Sequence, residues 1–219
     1  MNRIIENLRR LNRKERFHLL QSVLHGGSPG SDSFTLSAEF RENLGRELKL
    51  EVPSDAFAAM DYQLDWIYVA LYLALQNPEE GALVPKPGDW FNHDQEDTDL
   101  LVAFESPGEP PTCHLVLVEA KCDTGWTNAQ VESKLARLQS IRDALQLTEA
   151  SPVAFHWLLT SPRRPEGLRP DSSSWLDWGS DEGGWHWIEM PVHPHCRAVR
   201  CDAEGSPDRR GDFWRLISG

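Results

Sequence analysis

The sequence predicts an α/β fold, and three features of its apolar pattern carry that prediction. Apolar residues recur at helical spacing through most of the first third of the chain. Beyond Ala82, short Val- and Leu-rich runs separated by Pro and Gly replace that period. A further helical stretch then gives way to a continuous apolar strand. The core order that results is helix, strand, strand, strand, helix, strand.

Each element has its own signal. Ile4, Ile5, Leu8 and Leu11, followed by Phe17, Leu20, Val23 and Leu24, keep a helical period until Gly26 and Gly27, so one or two N-terminal helices are expected. A second helix is expected from Ser37, a suitable N-cap, to Leu48. A third, the most apolar, is expected from Ser54 through Leu75, stopped by Asn77 and Pro78. Strands are expected to begin at Ala82, because Pro85, Pro87 and Gly88 exclude a regular helix. Leu100 to Phe104 and His114 to Val118 are apolar runs joined by a Pro- and Gly-rich loop, which favours an antiparallel hairpin. Thr127 to Gln146 places Val131, Leu135, Leu138, Ile141 and Leu145 on one helical face, and Val153 to Leu159 reads as a buried strand. Further on, Trp185 to Val192, Cys196 to Arg200 and Phe213 to Ile217 have strand character.

The 219 residues suffice for one sizeable core and hardly for two. A single domain over 1–219 is expected, with an N-terminal helical extension (1–53), a core (54–162) and a Trp-rich β extension (163–219). No apolar run approaches the roughly eighteen residues of a membrane span, and the charged N-terminus lacks the features of a secretory signal, so a soluble, cytoplasmic protein without membrane attachment is expected. Cys113, Cys122, Cys196 and Cys201 are too few and too irregular for a disulfide scaffold, and free thiols are expected. His193, His195, Cys196 and Cys201 lie close together but lack the paired spacing of a zinc site.

A formal charge of −12 argues against nonspecific coating of nucleic acid. The charge is unevenly spread: seven acids and no Lys or Arg lie between Asp89 and Glu109, whereas Arg3, Arg9, Arg10, Arg13, Lys14 and Arg16 crowd the N-terminus. An acidic pocket with a basic rim is compatible with that distribution. No Walker-type loop, nucleophile elbow or dinucleotide fingerprint is present.

In an antiparallel hairpin, residues that open the first strand lie beside those that close the second. Asp99 then faces Glu119 and Lys121, which project together while Ala120 turns away; Asp97 shares the face of Asp99. Two converging carboxylates form a hard oxygen site for Mg²⁺ or Mn²⁺, and a neighbouring lysine can orient a water and steady negative charge on a phosphate. An isolated E-x-K, by contrast, is commonly a surface salt bridge.

Here the motif stands in order: an acid, an apolar strand, a loop, an apolar strand, Glu-Ala-Lys, then a helix carrying Gln130 and Lys134. Over roughly Ser54 to Pro162 the chain resembles the PD-(D/E)xK nuclease superfamily. The resemblance implies a restriction-endonuclease-like αβββαβ core, a mixed central sheet flanked by helices, and Mg²⁺- or Mn²⁺-dependent hydrolysis of nucleic acid, DNA foremost. It implies Asp99, Glu119, Lys121, Gln130 and Lys134 as catalytic residues. Asp99, Glu119 and the Ala120 carbonyl would hold the metal. An acid from the first core helix often joins such sites; Asp61 and Asp65, four apart on the expected helix, are the candidates, with Asp65 preferred. Thr98 stands where the family pattern has proline. A homodimer is compatible with the resemblance, and a noncatalytic binding module in a defence or repair complex is the alternative.

Trp175, Trp178, Trp185 and Trp187 could stack single-stranded bases, although core packing is the commoner use. Trp126, between the E-x-K and the helix, is the tryptophan placed best to meet substrate. His93 and His114 flank the candidate site in sequence as an accessory base or ligand, and His156 reads as a hydrogen-bonded core residue.

Overall fold

A computed structural model of the chain describes residues 2–11, 35–86, 96–122, 126–148, 151–168, 186–191 and 196–218. Its helices are α1 (Arg3–Leu11), α2 (Ala38–Leu48), α3 (Leu64–Gln76) and α4 (Asn128–Ala144). Five strands, β1 (Phe57–Gln63), β2 (Asp97–Ser106), β3 (Thr112–Ala120), β4 (Val153–Ser161) and β5 (His186–Glu189), form one mixed sheet in sequential order. β1, β2 and β3 are antiparallel neighbours, whereas β3, β4 and β5 run parallel. A separate two-stranded sheet pairs β6 (Cys196–Cys201) with β7 (Phe213–Ser218).

Both faces of the large sheet are covered, which is why its central strands read as continuous apolar runs instead of alternating ones. Leu101, Leu115, Leu117 and Leu159 pack with residues of α1, α3 and α4, among them Leu8, Ile67, Leu71, Leu135 and Leu138. Val102, Phe104, Val116, Val118 and Leu158 face the other way, against Leu44 and Leu48 of α2. The parallel step from β3 to β4 needs a crossover, and α4 supplies it.

Ser37 caps α2 as expected, its hydroxyl accepting the Phe40 N–H at 3.1 Å. The expected hairpin forms in the register Leu100↔Val118, and α4 lies within the expected helical stretch. Thr127 is its N-cap, accepting the Gln130 N–H. The expected segment from Phe17 to Leu24 lies outside the described residues.

One expected helix is wrong. Ser54 to Leu75 is not a single helix: its first part is strand β1, and α3 begins only at Leu64. Phe57, Ala58 and Ala59 are all buried, so the segment shows no two-residue alternation, and its Ala and Met content favours helix by intrinsic propensity. Pairing with β2 overrides that preference. The turn from strand to helix is prepared at Asp61, whose positive φ of 50° breaks the alternation and puts Tyr62 on the same side as Phe57 and Ala59. Asp61 and Asp65 therefore do not share a helical face. The strand expected from Ala82 is also absent up to 86, beyond which 87–95 lie outside the described residues.

Candidate active site

The end of the sheet where β1 finishes, β2 starts and β3 and β4 finish gathers the polar residues that the hairpin argument singled out. Asp99 alternates with Leu101 and Ala103, and Glu119 with Leu115 and Leu117, so both carboxylates lie on the face covered by α4. Asp99 accepts the Ala120 N–H through Oδ2 at 2.7 Å, which locks the start of β2 to the end of β3. Thr98 points to the opposite face, wholly buried, and its hydroxyl donates to the Val118 carbonyl at 3.1 Å.

Glu119 is the unusual residue. It is only 5% exposed, its Oε2 receives the Lys134 ammonium at 2.6 Å, and its Oε1 is buried with no hydrogen-bond partner among the described residues. Burial pushes its carboxyl up to about 7; the Lys134 hydrogen bond and charge and the Lys121 charge pull it down, and Asp99 pushes it up. Lys121 follows directly: its N–H donates to Thr160 at the end of β4, and its Nζ lies 5.8 Å from the centre of the Trp126 ring. Trp126 therefore lies beside the Lys121 side chain.

Helix α4 reaches the strand ends through one stripe of polar side chains. The Ser133 hydroxyl donates to Glu96 at 2.6 Å, Lys134 meets Glu119, and Arg137 pairs with Asp65 in the first turn of α3. Gln130 stands one turn before Lys134, exposed on the same helix. Ser133, Arg137 and Glu96 carried no sequence signal, because each is a common surface residue whose role depends on how α4 docks.

Asp65 is engaged by Arg137, and no group of three or more His, Cys, Asp or Glu side chains placed to hold a metal occurs among the described residues. Asp65 thus does not complete a carboxylate triad with Asp99 and Glu119. The donors present fit a hard divalent cation in kind: two carboxylates on adjacent strands, one with a buried oxygen that has no partner among the described residues. Lys134 supplies the positive charge at Glu119 that a cation would otherwise share.

His114 is not at this site. It lies about 17 Å down β3 from Glu119 and on the opposite face, stacked on Phe104, with its ring nitrogens 2.9 Å from His156 Nε2 and from Ser106 Oγ. Burial lowers both histidines, and together with the nearby His114 and His186 it brings His156 to about 3. His156 is thus hydrogen-bonded as expected, though half-buried and outside the apolar core. Trp187 is half-buried against the core, its Nε1 donating to Ser161 Oγ at 3.0 Å, which is a packing use. Trp175, Trp178, Trp185, His93, His193 and His195 lie outside the described residues. Cys113, Cys122 and Cys201 are free thiols, and no helix among the described residues is long and apolar enough to cross a membrane. Comparison with family models, curated proteins and solved structures found no match to this chain.

Proposed function

We propose that the chain is a metal-dependent nuclease of the PD-(D/E)xK type that hydrolyses phosphodiester bonds of nucleic acid, DNA foremost. The observation that carries this reading is the pairing of Asp99 and Glu119 at adjacent strand ends on one face, with Lys121 two residues on and Lys134 against Glu119. The order of elements supports it. Taking α2 on one face and α4 on the other, the series α2, β1, β2, β3, α4, β4 gives the αβββαβ order of a restriction-endonuclease-like core, with α3 inserted between β1 and β2.

Asp99, Glu119 and the Ala120 carbonyl would hold Mg²⁺ or Mn²⁺, which when bound acts as a Lewis acid on the scissile phosphate and activates water. Lys121 is free of a carboxylate partner closer than salt-bridge distance among the described residues, and its ammonium is available to hold the attacking water and the phosphate charge. The ordered Ala120 amide keeps Asp99 fixed, so little reorganisation accompanies binding. With Lys134 and Lys121 beside it the Glu119 carboxyl is still held up at about 7, and a bound cation would lower it further, which couples cation binding to its deprotonation.

The test is cleavage of labelled single-stranded, duplex and branched DNA, and of RNA, by wild type and Lys121→Ala in Mg²⁺, Mn²⁺ and EDTA. Metal-dependent cutting lost in the variant is expected. A second reading, a noncatalytic binding module, is favoured by one observation: Lys134, the Ala120 amide and Arg137 already engage Glu119, Asp99 and Asp65. No cutting under any condition, together with no Mn²⁺ binding, would establish that reading instead.

A further inference from the structure

Lys121 is held at the strand ends in a different way from its charged neighbours. Asp99 accepts the Ala120 amide, Glu119 meets Lys134, Asp65 meets Arg137 and Glu96 accepts the Ser133 hydroxyl. Lys121 is half-buried, yet among the described residues its ammonium has neither a carboxylate within salt-bridge distance nor a hydrogen bond. Its backbone is pinned, the N–H donating to the Thr160 carbonyl at 2.9 Å, but the flexible stem above that point leaves the ammonium a wide range. What the ammonium meets is the Trp126 ring, 5.8 Å from its centre, where the negative ring face attracts a cation.

Trp126 is itself fixed. It is half-buried, packed against the core on the α4 face of the sheet, and the next residue, Thr127, caps α4. Its Nε1 is buried with no partner among the described residues, so packing and not an indole hydrogen bond keeps it in place, and what it offers Lys121 is the ring. A carboxylate in that position would neutralise the ammonium and occupy its N–H groups. Glu119, two residues earlier, is the nearest such group in sequence, and Lys134 already engages it. A ring face attracts the charge while leaving the N–H donors to other acceptors. We propose that Trp126 is the positioning residue of Lys121: its ring restrains the ammonium at the strand ends and leaves the charge and the N–H groups to the water and phosphate of the reaction. The consequence for cleavage rests on the nuclease reading; the placement of Lys121 does not.

NMR of the full-length protein labelled with ¹³C-lysine, in EDTA, tests the placement. The Hε resonances of Lys121, assigned by their disappearance in Lys121→Arg, should lie upfield of those of the other lysines because of the ring current. That shift should vanish in Trp126→Leu and persist in Trp126→Phe, which keeps a ring and drops the unpaired N–H. In Mg²⁺, with the strand form that wild type cuts, single-turnover cleavage by Trp126→Leu should slow about tenfold at saturating DNA with the half-saturating concentration unchanged, and Trp126→Phe should recover most of the rate. Lys121 resonances unshifted in wild type, or shifted as far in Trp126→Leu, overturn the proposal. So does cleavage by Trp126→Leu at the wild-type rate, or a loss confined to DNA affinity, which would make Trp126 a substrate contact. Metal-dependent cutting with unshifted Lys121 resonances would leave the nuclease reading standing alone. A Trp126-dependent shift without cutting by wild type would sink the nuclease reading and uphold the placement.

Discussion

Lys134→Met tests the electrostatics of the strand-end site because it removes the ammonium that meets Glu119 while keeping much of the side-chain stem. Burial holds the Glu119 carboxyl at about 7 against an ordinary 4.5, even with Lys134 2.6 Å away. A tenfold change in proton affinity is about 1.4 kcal/mol, so ionised Glu119 costs the folded protein about 3 kcal/mol relative to the unfolded chain. The folded value lies above the unfolded one, so the stability that protonated Glu119 contributes is fully present below pH 4.5 and is lost as pH rises through about 7, where the cost of ionisation takes its place. Without Lys134, the carboxyl loses two of the influences that oppose burial and stays protonated to higher pH. At pH 5 Glu119 is protonated in both proteins, and the variant loses only a hydrogen bond, about 1 kcal/mol. At pH 8.5 wild type has released the proton near 7, whereas the variant still holds it or ionises at greater cost, so the loss there is larger, by up to about 2 kcal/mol. Urea denaturation at the two pH values measures both losses. An equal loss at each pH, or a larger one at pH 5, would refute the placement of a buried, lysine-compensated carboxyl at 119.

Other expectations follow from the same geometry. Mn²⁺ should raise the melting temperature of wild type more at pH 8 than at pH 6, because a carboxylate must be deprotonated to bind, and Asp99→Asn should abolish the rise; a metal-independent melting temperature at both pH values would count against the cation site. His156 is held at about 3, below the ordinary histidine value, so its contribution to stability is present above pH 6.5 and lost as pH falls toward 3; its ring resonances in an NMR titration should stay unchanged from pH 8 to 5, and a midpoint near 6.5 would contradict its burial. The exposed Cys122 should react with a thiol reagent in the native protein while Cys113, pushed up to about 12 by burial, reacts only on unfolding, and peptide mapping of the modified protein would show otherwise if both labelled together. Gly211→Ala should open the β6–β7 hairpin, since a Cβ there would sit 2.0 Å from the Cys201 carbonyl oxygen; unchanged hydrogen exchange across β6 and β7 would exclude that clash.

What the sequence revealed depended on how local the determining physics was. The Asp99, Glu119 and Lys121 arrangement was legible because two apolar strands and a turn-rich loop dictate an antiparallel pair, and pairing alone brings the start of one strand to the end of the next. Ser37 and Thr127 were legible as helix boundaries for the same reason, since a cap acts within three residues. Strand β1 was not legible. Its apolar residues are buried on both sides, so the segment carries no period of two, and it pairs with a strand that begins more than thirty residues later. The helix that follows it is strongly apolar, and nothing in the local pattern separates the two except Asp61, whose positive φ is a property of the backbone and not of composition.

The error at β1 also bears on Asp65. On a single helix from Ser54 to Leu75, a carboxylate among Leu64, Trp66 and Ile67 has no evident partner, and a metal is a reasonable way to satisfy it. Once β1 occupies the sheet, Asp65 falls in the first turn of α3, where an acid suits the helix dipole, and Arg137 from α4 meets it. The same helix places Lys134 on Glu119 one turn earlier, so α4 compensates two carboxylates on two different elements from one face. Those contacts give the stripe at 133, 134 and 137 a structural role at the strand ends whether or not a cation binds. They also make Lys134 the residue at which structure and chemistry meet: in the proposed nuclease it must yield part of its hold on Glu119 when a cation arrives, whereas in a noncatalytic module it would keep Glu119 permanently paired. The pH dependence of Lys134→Met, measured with and without Mn²⁺, separates the two, because only a site that exchanges lysine for cation has its stability rescued by the metal in that variant.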